Sequence, residues 1–274
     1  MIQGYRMAGP PPHGDPPESA PEPGWPAWSG FVALLAAFFV GNFSYAVVLA
    51  ASGADPDDTP AWLELTAGVL LEAALIASAL LAARLIKPLH PWQFGLRPAR
   101  FWRTLGWSLL GLVAFYAFVA VWVGLVGAPS QSTAEDVGAD KGGVAVVAAG
   151  LLFVVAAPIS EEFFFRGFFY GSLRTRLPTG WAALVCGGVF GAIHFTTGVS
   201  AVPLLIALGT IFCLVREVTG SLYPCIALHA VNNTFAYAAM TDVALAIAVG
   251  IGVAMLIAVV LVPRFAWRRQ PAPA

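Results

Sequence analysis

The stretch GGVAVVAAGLLFVVAAPISEEFFFRG, residues 142–167, decides the fold. No charge occurs between Gly142 and Ser160, and a helix needs about 20 mostly apolar residues to cross a bilayer. Glu161, Glu162 and Arg166 follow directly. Ionisable side chains at bilayer depth cost roughly 2.5–3.5 kcal/mol each on the insertion scale, so they face a protein interior and mark function.

Outward from this run, at about 142–163, lie further apolar runs at about 29–51, 62–83, 104–126, 181–197, 201–215, 221–240 and 243–262. The runs at 181–197 and 201–215 are short, which fits tilted or broken helices or a tight turn at depth. Hydrophobic residues make up 59% of the 274 and charged residues 11%, and the mean hydropathy is +0.79. No soluble core of this size needs so much apolar surface. The expected fold class is all-α, a polytopic membrane helical bundle of about eight transmembrane helices around a buried cavity.

The loops orient the bundle, because Lys and Arg gather on the cytoplasmic side. Arg84, Lys87, Arg97, Arg100 and Arg103 follow the second run, Arg174 and Arg176 the fourth, and Arg264, Arg268 and Arg269 the eighth. The intervening loops carry Asp55, Asp57, Asp58, Glu135, Asp136 and Asp140, with Lys141 as the nearby base. An even count puts every basic set on one side and both termini in the cytoplasm. Trp25, Trp28, Trp62, Trp92 and Trp102 flank the first three runs, as expected of interfacial anchors.

Residues 1–27 contain Pro10, Pro11, Pro12, Pro16, Pro17, Pro21, Pro23 and Pro26 and are expected to form a disordered Pro-rich cytoplasmic tail. No basic leader with a short apolar core and cleavage site is apparent, so the first span is expected to act as the targeting element. Residues 28–141 are read as N-terminal transmembrane helices, 142–240 as the core carrying the site, and 241–274 as the last helix with a basic tail. The net charge is −1, which offers no basic surface for nucleic acid. Cys186, Cys213 and Cys225 are odd in number without CxxC spacing, and are read as small buried residues.

Within the core, Pro158 cannot donate a backbone N–H, so the two acids follow a bend, and Ser160 can satisfy a freed carbonyl. Adjacent residues on a helix point about 100° apart, so Glu161 and Glu162 cannot share one role. Glu162 and Arg166 are four apart, the spacing at which acid and base meet on one face. Glu161 is left facing elsewhere. A carboxylate taken out of water is a better base near neutral pH than a solvated one, which makes Glu161 the candidate general base.

Gly187 and Gly191 form a small-xxx-small pattern for close helix approach, and His194 lies one turn past Phe190. His229 and Asn233 project from one face, with Asn232 turned about 100° away. Two donors so aligned can hold the oxygen of a tetrahedral intermediate, or can bond across helices as structural glue. The other histidines, His13 and His90, fall in polar connecting segments.

Three motifs stand in order here: Glu161-Glu162-x-x-x-Arg166, Phe190-x-x-x-His194 and His229-x-x-x-Asn233. Over residues 142–240 the chain resembles the type II CAAX prenyl endopeptidases and their bacterial relatives, the bacteriocin-processing or abortive-infection-like membrane proteins. The resemblance implies an intramembrane protease of a bacterial plasma membrane, with a catalytic cavity open toward the cytoplasm. Its substrate would be a membrane protein or lipidated peptide held at the lipid bilayer. Glu161 and His194 would activate water, His229 and Asn233 would form the oxyanion hole, and Glu162 and Arg166 would support them.

Cofactor use stays open between two readings. Relatives are often called metalloproteases, and Glu161, His194 and His229 would supply a two-histidine, one-carboxylate zinc set. The chain has no HExxH, and if His229 instead holds the oxyanion, two ligands remain and glutamate chemistry needs no metal.

Two other classes compete with an enzyme. A proton-coupled carrier would use Glu64 and Glu72, eight apart in the second run, to line a path; otherwise Glu64 lies at the interface and Glu72 bonds within the bundle. A non-catalytic scaffold or immunity-type protein would keep the geometry and sequester a partner.

Overall fold

The computed structural model describes residues 24–128, 143–240 and 244–268, and every regular element among them is a helix. In chain order these are α1 Ala27–Ser52, α2 Ala61–Ile86 and α3 Phe101–Val126, then α4 Gly143–Arg174 and α5 Thr179–Ile193. They are followed by α6 Val202–Thr219, α7 Tyr223–Met240 and α8 Ala244–Arg268. Short 3-10 turns occupy Pro91–Phe94 and Phe195–Thr197.

Each expected run is a helix, but six of these helices among the described residues, not eight, are both long and apolar enough to cross a membrane. The two that fall short do so for different reasons. Helix α5 has 15 residues, about 22 Å at 1.5 Å per residue, against a hydrocarbon core of about 30 Å. Helix α7 has 18 residues, but His229, Asn232 and Asn233 lower its hydropathy. Residues 1–23, Glu135, Asp136, Asp140, Lys141, Arg269 and the Arg264 and Arg268 side chains, expected to form the tail and the charged loops, lie outside the described residues.

Helix α4 continues well past the expected end at residue 163, to Arg174. Two π-helical segments, Leu152–Ala156 and Phe163–Phe169, bracket the turn that carries the glutamates. The Ala157 N–H reaches back five residues to the Leu152 carbonyl, and the Tyr170 N–H to that of Phe165. Such widened turns shift the phase of a helix and recur at functional sites. Pro158 follows directly on one of them and has no N–H to continue that ladder.

Helix α4 is buried against its neighbours by aromatic residues. Phe164, Phe165, Phe168 and Phe169 are fully buried. Gly30 of α1 leaves room for the Phe169 ring, since a Cβ there would fall 2.1 Å from it. The expected glycine pattern in α5 also acts in packing: a Cβ on Gly191 would meet the Ile206 nitrogen at 2.8 Å, and one on Gly187 the Thr210 nitrogen at 2.6 Å. Backbone thus meets backbone between α5 and α6.

One end of the bundle is tied by polar contacts between loops. Arg97 Nε donates to the Gly220 carbonyl (2.6 Å), the Leu222 N–H to the Gly95 carbonyl (2.8 Å), and Ser221 Oγ to the Arg97 carbonyl (2.6 Å). Arg174 pairs with Glu217 at 3.1 Å, which also accepts from Tyr170 and Thr179. The ends of α2, α4 and α6 therefore share one side, as the basic loops require. Trp28, Trp62 and Trp102 are exposed, as interfacial anchors should be, but Trp25 is wholly buried between Phe94 and Phe168. Lys87 stands over its ring at 5.3 Å, and burial lowers the pKa of that ammonium.

Candidate active site

Four helices bring the expected residues together. Glu161, Glu162 and Arg166 come from α4, His194 from the C-terminal cap of α5, and His229 and Asn233 from α7, while α6 closes the back through Gly209 and Phe212.

The innermost layer is an ion pair. Glu162 and Arg166 have fully buried side chains, 2.7 Å apart from Oε1 to Nη1. Arg166 Nη2 donates to the Gly209 carbonyl at 3.2 Å. Its guanidinium lies 4.5 Å from the Phe190 ring centroid, 5.3 Å from Phe212 and 5.8 Å from Phe165. Aromatic faces attract a cation and replace part of its lost hydration. Phe190 also packs against the imidazoles of His194 (4.7 Å) and His229 (6.1 Å), so one ring touches the buried cation and both histidines.

Those contacts fix which histidine nitrogens act. His229 Nδ1 donates to Glu162 Oε1 at 2.8 Å, since an ionised carboxylate paired with Arg166 can only accept. His194 Nδ1 donates to the Phe190 carbonyl at 2.7 Å. In both rings Nε2 is left to the site, and both Nε2 atoms face Glu161: His194 Nε2 is 3.9 Å from Oε1 and His229 Nε2 3.9 Å from Oε2. Helix spacing alone gives Glu161 no partner; the fold places two imidazoles beside it.

Asn233 does bond across helices. Its Nδ2 donates to the Phe153 carbonyl at 2.9 Å. Phe153 lies five residues before Pro158, so in the π register its carbonyl is the one that Pro158 cannot serve. One N–H of the Asn233 amide restores that bond, and the other remains available. Asn232 Nδ2 donates to Asn233 Oδ1 at 3.3 Å.

Ser160, beside Glu161, is hydrogen-bonded through Oγ to the Ala156 carbonyl (2.7 Å) and to Glu72 Oε2 of α2. Glu64 accepts instead from Tyr45 and Thr59, so the two acids of α2 serve separate contacts. Cys186, Cys213 and Cys225 are buried free thiols. The zinc set of Glu161, His194 and His229 does not fit: no group of three or more His, Cys, Asp or Glu among the described residues is disposed to hold a metal ion. No step below is routed through one.

No curated protein and no solved structure matches this chain. A family model does, over part of its length, and α1, α2, α3 and α8 lie outside it. The segment that carries all three motifs, residues 143–235, matches the family described as Rce1-like, type II CAAX prenyl endopeptidase Rce1-like.

Proposed function

We propose that this protein is an intramembrane endopeptidase that uses Glu161 to activate water against a peptide bond of a membrane-associated, lipid-modified protein or peptide. The observation that carries this reading is the Glu161 carboxylate flanked at 3.9 Å by Nε2 of His194 and Nε2 of His229. That separation is beyond a direct hydrogen bond and within the span of one bridging water. The family match supports a protease, and its description supports a prenylated substrate.

A water held between Glu161 and His194 Nε2 attacks the scissile carbonyl carbon as Glu161 takes its proton. The carbonyl π electrons move onto oxygen. His229, with Nδ1–H given to Glu162, presents Nε2 to that oxygen and in the imidazolium form donates to it, beside the second N–H of Asn233. The C–N bond then breaks, and Glu161 returns the proton to the leaving amine. One water is consumed, giving a carboxylic acid and an amine, which leave as carboxylate and ammonium once the acid's proton passes to the amine. Glu162 and Arg166 never meet substrate; they hold His229 in register.

The basic ends of α2, α4 and α6 would face the cytoplasm, with the amino terminus on that side. The test is a search for new peptide N-termini after reconstituted protein meets solubilised membrane proteins and lipidated peptides. Termini seen with wild type and absent with Glu161→Gln are expected; identical profiles from the two folded proteins would overturn the reading.

A further inference from the structure

The carboxyl group of Glu72 has no part in the reaction above, and α2 lies outside the matched segment, yet Glu72 reaches the residue next to Glu161. Ser160 Oγ is in hydrogen-bond contact with Glu72 Oε2 and with the Ala156 carbonyl at 2.7 Å, and the Ala157 carbonyl lies at 3.3 Å. A serine hydroxyl carries one hydrogen. If it goes to the Ala156 carbonyl, the bond to Glu72 requires a second hydrogen, and only the carboxyl group can bring it. No Lys, Arg or His among the described residues pairs with Glu72, and the residue beside its partner Ser160 is another acid, Glu161. Of the other ionisable groups on α1 and α2, Tyr45 and Glu64 bond to each other. A partly buried carboxyl with no cation and an anionic neighbour is most stable as the neutral acid.

We propose that Glu72 is a neutral carboxylic acid that donates to Ser160 Oγ, holds the α4 turn carrying Glu161 in place, and so belongs to the active site as a positioning residue. The bond ties α2 to α4 two residues after Pro158, where the helix has lost a backbone donor. Neutrality also leaves the negative charge of the two neighbouring carboxyl groups on Glu161, where the base needs it. This catalytic consequence rests on Glu161 being the base; the protonation state does not.

Two measurements on the full-length protein in lipid test the proposal separately. Infrared difference spectra between pH-matched wild type, Glu161→Gln and Glu72→Gln should show a protonated-acid C=O stretch in the first two and not in the third. In peptide cleavage, Glu72→Ala and Ser160→Ala should lower kcat by about tenfold or more with little change in KM. Glu72→Gln, whose amide N–H replaces the acid O–H, should restore kcat to within about threefold of wild type. An infrared band unchanged by Glu72→Gln overturns the proposal even if no variant cleaves anything. So does a Glu72→Ala protein as active as wild type, or a Glu72→Gln protein as inactive as Glu161→Gln.

Discussion

Replacing Arg166 with Met removes the cation at the centre of the site and leaves a chain of similar length. The i,i+4 spacing alone would suggest a minor loss, since exposed helix pairs contribute about 0.3–0.5 kcal/mol. The structure points to a much larger one. Both side chains are fully buried and 2.7 Å apart, so Arg166→Met strands the Glu162 carboxylate with His229 Nδ1 as its remaining donor. Removing one partner of a buried pair costs about 3–5 kcal/mol. Loss of the Gly209 bond and of three ring contacts acts in the same direction. The double variant Glu162→Gln, Arg166→Met leaves neither charge and should cost less than the two single changes summed. Reversible denaturation in mixed micelles, followed at constant detergent composition, gives the three free energies. A single-variant loss under about 1 kcal/mol, the exposed-pair scale, would mean that the buried pair does not hold the site together. Strict additivity would mean the same.

Asn233→Leu should leave the Phe153 carbonyl unpaired and cost about 1–3 kcal/mol. In a Pro158→Ala background the restored backbone N–H should recover part of that loss, which a denaturation cycle measures. Gly191→Ala should destabilise by about 1–3 kcal/mol, because its Cβ would meet Ile206 and Val202 backbone atoms at 2.8–2.9 Å. The control Gly188→Ala, with open space at that Cβ, should be neutral or gain up to about 1 kcal/mol from helix propensity. Gly95→Ala should loosen the loop that packs on α6, since its φ is +77° and its Cβ would fall 2.5 Å from the Arg216 guanidinium. Faster proteolysis between residues 87 and 100 is the readout.

Features legible in the sequence were those fixed by local helix geometry. The Glu162 and Arg166 pair follows from a four-residue spacing, a close helix approach from Gly187 and Gly191, and the different facing of Glu161 from its 100° offset. Features that escaped it depend on which distant residue the fold places opposite. His229 meets Glu162 across 67 positions, Asn233 meets Phe153 across 80, and Glu72 meets Ser160 across 88. The motif residue Phe190 gave no hint that its ring would sit against a buried guanidinium. Trp25 looked like an anchor at the interface because the turn bringing Phe94 over it is set by residues 91–95. The count of eight spans is not confirmed at α7, where His229, Asn232 and Asn233 lower the hydropathy, or at α5, which ends at Ile193.

In the proposed reaction, water activated by Glu161 attacks a peptide carbonyl inside this bundle. The most direct measurement incubates reconstituted protein with a lipidated peptide in H2-18O and reads fragment masses, for wild type and for Glu161→Gln. One 18O in the newly formed carboxylate is expected with wild type, and no fragment from a Glu161→Gln protein of unaltered stability. Cleavage by Glu161→Gln at the wild-type rate, with the same label incorporated, would contradict that reaction.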